Sequence, residues 1–152
     1  MTLLKNDPWF ANKPERGFAS IVTADGAAAL DTNSAAWKEI LTAPADGLLV
    51  DSLIVASNDS AARVLALAVK VGTTINLIGC VSIPANSGTN GTVAAVDLLA
   101  NTILLGLPIS AQGKRFIRLK PNEVLVVGTT SAVTAALSVR VSASGVSFVP
   151  EV

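Results

Sequence analysis

The sequence predicts an all-β protein, an antiparallel β-sandwich of the jelly-roll-like or immunoglobulin-like kind. From Phe18 onward, short apolar segments alternate with turn residues, which is typical of sandwiches and barrels. We count about nine or ten such segments and no convincing helix longer than two turns. Because a parallel sheet needs helical crossovers, we expect the strands to run antiparallel. The length of 152 residues fits a single domain.

Residues 1–17 differ from the rest and predict an extended N-terminal arm, followed by one sandwich domain over residues 18–152. Their charged residues and prolines follow neither a period of 2 nor one of 3.6 residues. Two large aromatic residues favour an arm that docks on another molecule, with a frayed terminus as the alternative. The candidate interaction residues of the arm are Lys5, Trp9, Phe10, Lys13 and Arg16.

Three strands are predicted in the first third of the domain. The first covers residues 18–23. Residues 35–42 and 48–56 flank a five-residue loop containing Gly47, which is typical of a β-hairpin. A short helix over residues 34–41 is the alternative to the second of these strands.

The next two strands are predicted from their alternation. Residues 63–71 alternate leucine and valine with small alanines, so their two faces differ in size. Residues 74–83 show the clearest half-buried pattern, with Cys80 on the polar face. The apolar residues expected on the core face of this strand are Ile75, Leu77, Val81 and Ile83.

A loop and a final hairpin are predicted in the second half. Residues 84–92 form a loop in which Gly88 and Gly91 can adopt positive φ. Short strands follow, and a turn at Ser144 and Gly145 predicts a last hairpin. The residues expected to point inward before that turn are Leu137, Val139, Val141 and Ala143.

The composition excludes most catalytic chemistry. The chain has no histidine and one cysteine, which removes the commonest general base and most metal ligands. Of the carboxylates within strands, Asp51 and Asp97 could face each other, but we expect exposure or pairing with Arg63 or Lys70. We therefore expect no enzyme: no catalytic residues, no cofactor, no metal site and no small-molecule substrate.

The charge balance also excludes classes of partner. Eleven basic and eleven acidic residues cancel, so no overall field attracts nucleic acid. The uncharged residues 71–96 contain Pro84, asparagines and glycines, which excludes an apolar spanning helix, and we expect no membrane association. The first residues lack the apolar stretch of a signal peptide, which predicts synthesis in a reducing cytoplasm.

The segment 114–120 concentrates positive charge. Strand alternation places Ile117 and Leu119 inward. The residues expected on the outward face are Lys114, Phe116, Arg118 and Lys120. Such a stripe suits an acidic protein surface, although lysines also protect an edge strand from aggregation.

The sparse charge of the middle of the chain indicates an assembly. Over the 50 residues 64–113 only Lys70 and Asp97 are charged, and the mean hydropathy is +0.58. Since a small monomer normally carries charge over its whole surface, part of this surface is expected to be buried against other subunits. A homodimer or a homotrimer would satisfy this requirement equally well.

Four short segments carry a resemblance: residues 50–59 (VDSLIVASND), 62–65 (ARVL), 83–92 (IPANSGTNGT) and 105–108 (LGLP). They resemble a group of small virion structural proteins of tailed bacteriophages, and the similarity covers roughly residues 17–148. Some members of this group sit on the capsid as decoration or cement proteins. The resemblance implies the major capsid protein as partner, the capsid surface of the virion as location, and no catalytic residues.

The resulting hypothesis is a capsid decoration protein that binds the outer shell and bridges neighbouring capsid subunits. A tail, neck or fibre component is the alternative within the virion. A carbohydrate-binding β-sandwich is the alternative from another class, and it would need exposed aromatic platforms. Only Trp9 and Trp37 could provide them.

Overall fold

Two antiparallel sheets packed face to face make up the fold, in a computed structural model that describes residues 13–30, 32–101, 104 and 106–147. Within these residues the chain forms nine β-strands and a single 3-10 turn, at Thr23–Asp25. The strands are β1 Lys13–Val22, β2 Lys38–Thr42, β3 Leu48–Ser57, β4 Arg63–Val71, β5 Thr74–Ile83, β6 Val96–Asp97, β7 Ile117–Leu119, β8 Val124–Thr129 and β9 Ser138–Ser147.

The strand order is that of a jelly roll. Sheet A has the order β1-β9-β3, and β6 and β7 both pair with the remaining side of β3. Sheet B has the order β2-β8-β4-β5. The first strand therefore pairs with the last, the second with the last but one, and β4 with β5, as in two interlocked Greek keys. The predicted antiparallel sandwich is confirmed, and its strand order differs from that of immunoglobulin sheets.

The core lies between the two sheets. The inward residues of β9 are buried as predicted, at Val139, Val141 and Ala143. Ile117 and Leu119 of β7 are buried in the same cluster, so the alternation predicted for the basic segment is also confirmed. Each of these side chains removes apolar surface from water, which is the main stabilising contribution to such a fold.

A covering segment shields part of the outer face of sheet B. Trp37 is only 6% exposed and packs against Ala66 and Ala68, the small residues of β4. Its Nε1 donates hydrogen bonds to the carbonyl oxygens of Ala29 at 2.9 Å and Thr32 at 3.0 Å. The small face of β4 thus has a physical role, because alanines leave room for the indole ring.

The residues 13–17 that we predicted within the arm belong to β1 instead. Lys13 lies opposite Ser147 of β9 and Arg16 lies opposite Ser144. Backbone pairing with β9 places them in a strand although their side chains show no alternation, and Pro14 is tolerated because β1 is an edge strand. The other arm residues, Lys5, Trp9 and Phe10, lie outside the described residues.

Both predicted hairpins are wrong. The loop containing Gly47 joins β2 in sheet B to β3 in sheet A, so it crosses between sheets. Gly145 lies inside β9 rather than in a turn, and it faces the backbone of Leu49 where a β-bulge interrupts β3. Glycine is required there because a side chain would overlap with the Leu49 carbonyl oxygen. The loop prediction for residues 84–92 is confirmed, with positive φ at both its glycines.

A β-bulge in β5 changes which of its residues face the core, so part of our prediction for this strand is wrong. The pairing with β4 shifts by one residue at Ile78, between the pairs Leu67–Gly79 and Ala68–Leu77. A one-residue shift exchanges the two faces of a strand. Leu77 is therefore 44% exposed, contrary to our prediction, whereas Val81 and Ile83 enter the core as predicted.

The edges of the two sheets meet at Gly17. A side chain at this position of β1 would overlap with the carbonyl oxygen of Ile40 in β2. We expect Gly17→Ala to lower the free energy of unfolding by about 2 kcal/mol or more, because the backbone must move apart. Gly106→Ala is the control, since no atom lies within 4 Å of its added methyl group. It should change stability by no more than about 1 kcal/mol. Urea unfolding measures both, and equal effects would contradict the close approach.

Candidate functional site

Among the charged side chains in the described part of the chain, Asp59 forms the most hydrogen bonds. It lies at the end of the sandwich where β3 leads into β4. Its carboxylate is fully buried and accepts a hydrogen bond from Arg63 Nε at 2.7 Å. It also accepts from the backbone of Ala61 at 3.0 Å and of Thr134 at 3.0 Å, and from Thr134 Oγ1 at 2.7 Å. These bonds tie the β3–β4 connection to the β8–β9 connection.

The electrostatics of Asp59 point to a structural role. Burial by itself raises the pKa of this carboxyl, but the hydrogen bonds from Arg63, Thr134 and Ala61 outweigh it and hold the pKa well below its usual range. A carboxylate that stays ionised and is fully occupied by donors has no lone pair available for a substrate proton. We assign the cluster to stability rather than to catalysis.

Asp59 makes folding sensitive to acid. Because its pKa is lower in the folded state than the unfolded value of about 3.9, its stabilisation is present above that pH and is lost as the pH falls further. We expect Asp59→Asn to lower stability at pH 7 by about 3 kcal/mol, since a buried pair is broken. It should also reduce the difference between pH 7 and pH 3. Urea unfolding at both pH values tests this, with the exposed Asp46→Asn as control. An unchanged pH dependence in Asp59→Asn would contradict the assignment.

The two strand carboxylates considered above, Asp51 and Asp97, are both exposed, which is one of the two outcomes that we expected. Asp97 caps its own turn, where its Oδ1 accepts from the backbone of Leu99 and Ala100. The predicted cationic partners are paired elsewhere: Arg63 with Asp59, and Lys70 with Glu39. Asp51 lies at the bulge of β3.

The outer face of sheet A forms an open surface. A row of residues crosses it, from Phe18 on β1 to Ser142 on β9 and Ile54 on β3. Phe18 is 71% exposed, which is unusual for a phenylalanine in the middle of a strand. A shallow depression of about 370 Å³ lies beside its ring. We call the surface formed by the following residues the sheet A face: Arg16, Phe18, Ser20, Ser52, Ile54, Ala56, Arg140, Ser142 and Ser144.

This face combines an apolar centre with a basic rim. Ser142 and Ser144 of β9 are small, so the Phe18 ring stands above its neighbours. Arg16 and Arg140 are exposed, and neither forms an ion pair with another described residue. An apolar centre with a polar rim is the arrangement found in protein–protein interfaces.

A second concavity, the basic cleft, continues this surface beyond β3. It has a volume of about 510 Å³ and lies between β3, β7 and the loop that precedes β7. Its charged residues are Lys114, Arg115, Arg118 and Asp51, and its apolar residues are Leu49, Ile109, Ala111 and Phe116. The pairing of β7 with β3 places Arg118 directly opposite Leu49, and both residues line the cleft on the side of these strands.

Local hydrogen bonds hold the loop of the cleft in a tight reversal. Ile109 and Arg115 form an isolated β-bridge. Between them Ser110 donates its N–H to the carbonyl of Lys114 at 2.8 Å, and its Oγ accepts from the Lys114 N–H at 3.2 Å. Gly113 has φ +78, a conformation that glycine adopts without strain. The hydrogen-bonded backbone of this loop therefore fixes the positions from which the Lys114 and Arg115 side chains extend.

Arg115 is the residue that sequence reasoning missed. Its Nε is buried and has no hydrogen-bond partner among the described residues. Alternation within 114–120 puts Arg115 on the same side as Ile117 and Leu119, so a cation on the inward side was the available signal. Buried donors are nearly always satisfied in folded proteins, so an unpaired buried nitrogen is uncommon.

The predicted site residues divide into three sets. Lys114, Phe116 and Arg118 line the cleft together, with the phenylalanine half-buried. Lys120 lies in the turn after β7, where its backbone N–H donates to Glu123, and it does not line the cleft. Of the arm residues, Arg16 borders the sheet A face.

Metal binding and membrane insertion were the remaining possibilities for the described residues. In this part of the chain no group of three histidine, cysteine or acidic residues is placed to hold a metal ion. Likewise, none of the helices there has the length and apolar character needed to cross a membrane.

Comparison of the chain with protein-family models, with curated proteins and with solved structures found no match. The function is therefore argued from the surface itself, that is, from the sheet A face and the basic cleft.

Proposed function

We propose that this chain is a bacteriophage capsid decoration protein, which binds the outer shell through the sheet A face and bridges subunits of the major capsid protein. The observation that carries the proposal is the exposed Phe18 at the centre of an open strand face. A large aromatic side chain in contact with water on a flat face is stabilised when a partner covers it. The resemblance of four sequence segments to tailed-phage virion proteins supports the choice of partner.

The fold is compatible with this function but does not select it. Jelly rolls occur both in viral capsid proteins and in lectin domains, and a fold by itself does not determine function. The surface favours the protein partner over a sugar. Trp37, one of two candidate sugar platforms, is buried with its Nε1 bonded to backbone carbonyls, and Trp9 lies outside the described residues.

The stabilising mechanism is mass action. A protein that binds the assembled lattice but not free subunits stabilises the lattice in proportion to its occupancy. At a free concentration 100-fold above its dissociation constant, each site contributes about 2.7 kcal/mol. Self-association into a dimer or trimer would place several such sites on one particle and increase the avidity.

Removal of the aromatic ring tests the proposal directly. We expect Phe18→Ser to weaken binding to assembled capsids by about 2 kcal/mol, or about 30-fold in Kd, because a central anchor is lost. Leu77→Ser is the matched control, since Leu77 is an exposed apolar residue on sheet B. Sedimentation of the protein with purified capsids of the encoding phage gives both values. Equal binding by both variants, or binding to purified tails instead of capsids, would overturn the capsid proposal.

The arm adds a second contact in this proposal, through Trp9 and Phe10. Because β1 begins at Lys13, the deletion that tests it removes residues 2–12 and leaves the strand intact. Twelve extended residues reach at most about 40 Å, enough to contact a neighbouring subunit. We expect the deletion to leave the melting temperature unchanged and to reduce capsid decoration at least about tenfold. Full decoration by the shortened protein would show that these residues have no anchoring role.

A further inference from the structure

We propose that the basic cleft binds an acidic segment of a partner protein, with one or two carboxylates beside an apolar side chain. This inference deepens the proposed function, on which it rests for the identity of the partner. The site would recognise the segment by its chemistry, namely carboxylates for the cations and an apolar group for the walls. Four observations support it, namely the unpaired charges, the buried Arg115 Nε, the apolar walls and the fixed loop.

The charges of the cleft are unbalanced. Three cationic side chains and one carboxylate line it, which leaves a net charge of +2. Elsewhere in the described residues the cations of β2, β4 and the first residue of β1 are paired with carboxylates. Lys114, Arg115 and Arg118 form no ion pair with any described residue. Two carboxylates from a partner would neutralise the cleft.

The geometry of Arg115 identifies the kind of group that is missing. A guanidinium presents donors in a planar fork that matches the two oxygens of a carboxylate. Its Nε is already buried without an acceptor, so part of the desolvation cost is present before binding. The Arg115 side chain is half-buried, lines the cleft and donates no hydrogen bond to a described residue, so a carboxylate in the cleft would give its guanidinium group an acceptor.

The apolar walls favour a peptide over other anions. Ile109 is 59% exposed at the rim, and Leu49 and Phe116 contribute apolar surface inside. A nucleic acid strand needs a row of aromatic platforms, and here a single half-buried phenylalanine is present.

The site is also organised before binding. The β-bridge of Ile109 with Arg115 and the two Ser110–Lys114 hydrogen bonds fix the backbone of the loop. A fixed backbone lowers the entropy lost when a ligand binds. The volume of about 510 Å³ falls within the range of about 300–1,000 Å³ that is usual for ligand sites.

Short peptides test the recognition without a capsid. The probe is acetyl-Ala-Glu-Leu-Glu-Ala-amide, titrated into the full chain at low salt while backbone amide resonances are followed by NMR. We expect shifts concentrated in residues 49–51 and 109–118, and a Kd at least tenfold lower than that of the peptide with glutamine in place of glutamate. Replacing the leucine of the probe by serine should weaken binding at least threefold.

Two variants assign the effect to the cleft. Arg115→Gln should weaken binding of the acidic peptide at least tenfold, and Arg118→Gln, at an exposed position, at least threefold. Lys70→Gln, which removes a cation from sheet B, should leave the Kd within twofold. Equal binding of the glutamine peptide, shifts outside the cleft, an equal loss in Lys70→Gln, or tighter binding of a thymidine decanucleotide or inorganic phosphate would each refute the inference.

Capsid binding separates this inference from the proposed function. If both hold, Lys114→Glu/Arg118→Glu weakens capsid binding at least tenfold and flattens its salt dependence, because the reversed charges repel acidic groups. If this double variant decorates capsids normally with unchanged salt dependence and the peptide does not bind, the cleft inference is wrong and the capsid function stands. If the peptide binds as expected but the unmodified chain does not decorate capsids, the cleft inference stands and the capsid function is wrong.

Discussion

The pairing of β9 with strands on both of its sides is the constraint on which the rest of the structure depends. This strand lies opposite β1 along its full length and opposite β3 along nearly all of it. It therefore joins the two ends of the described chain across the middle of sheet A. Because two of its outward residues are serines, at 142 and 144, the face above them is open and the Phe18 ring stands exposed.

Close approaches between backbones explain why glycine is needed at two positions. At Gly145 the strand passes so close to the bulged part of β3 that no side chain fits. At Gly17 the edge of sheet A meets the edge of sheet B, which closes the sandwich on that side. The bulge that requires Gly145 also leaves Asp51 exposed beside the basic cleft. One irregularity in β3 thus shapes both the packing and the candidate site, as bulges near functional sites often do.

The charges are divided between two roles. Asp59 and Arg63 are buried together and tie two connections at one end of the sandwich. On the side of sheet A, in contrast, only Lys13 pairs with a carboxylate, and Arg16, Arg140 and the three cations of the basic cleft have no carboxylate partner among the described residues. Since an unpaired cation in a cleft contributes little to folding, its place there is better explained by a partner that supplies the negative charge. The proposed capsid contact and the proposed acidic segment rest on this asymmetry.

The fold class and the local alternation of inward and outward residues could be predicted from the sequence alone. Inward positions such as Ile117, Leu119 and Val141 could be predicted because alternation is a property of a strand and its immediate neighbours. Four cationic or aromatic residues line the cleft. Three of them could be predicted for the same reason, namely Lys114, Phe116 and Arg118.

Only the tertiary structure decided which strands pair. The loop at Gly47 has the composition of a hairpin, yet it crosses between sheets, because strand pairing depends on contacts distant in sequence. The bulge at Ile78 moved Leu77 to the surface, and residues 13–17 became a strand because β9 offered its backbone donors and acceptors. Alternation marks Arg115 as a cation on the inward side of its strand, but only the structure shows that its Nε is buried without a partner, because burial depends on residues distant in sequence.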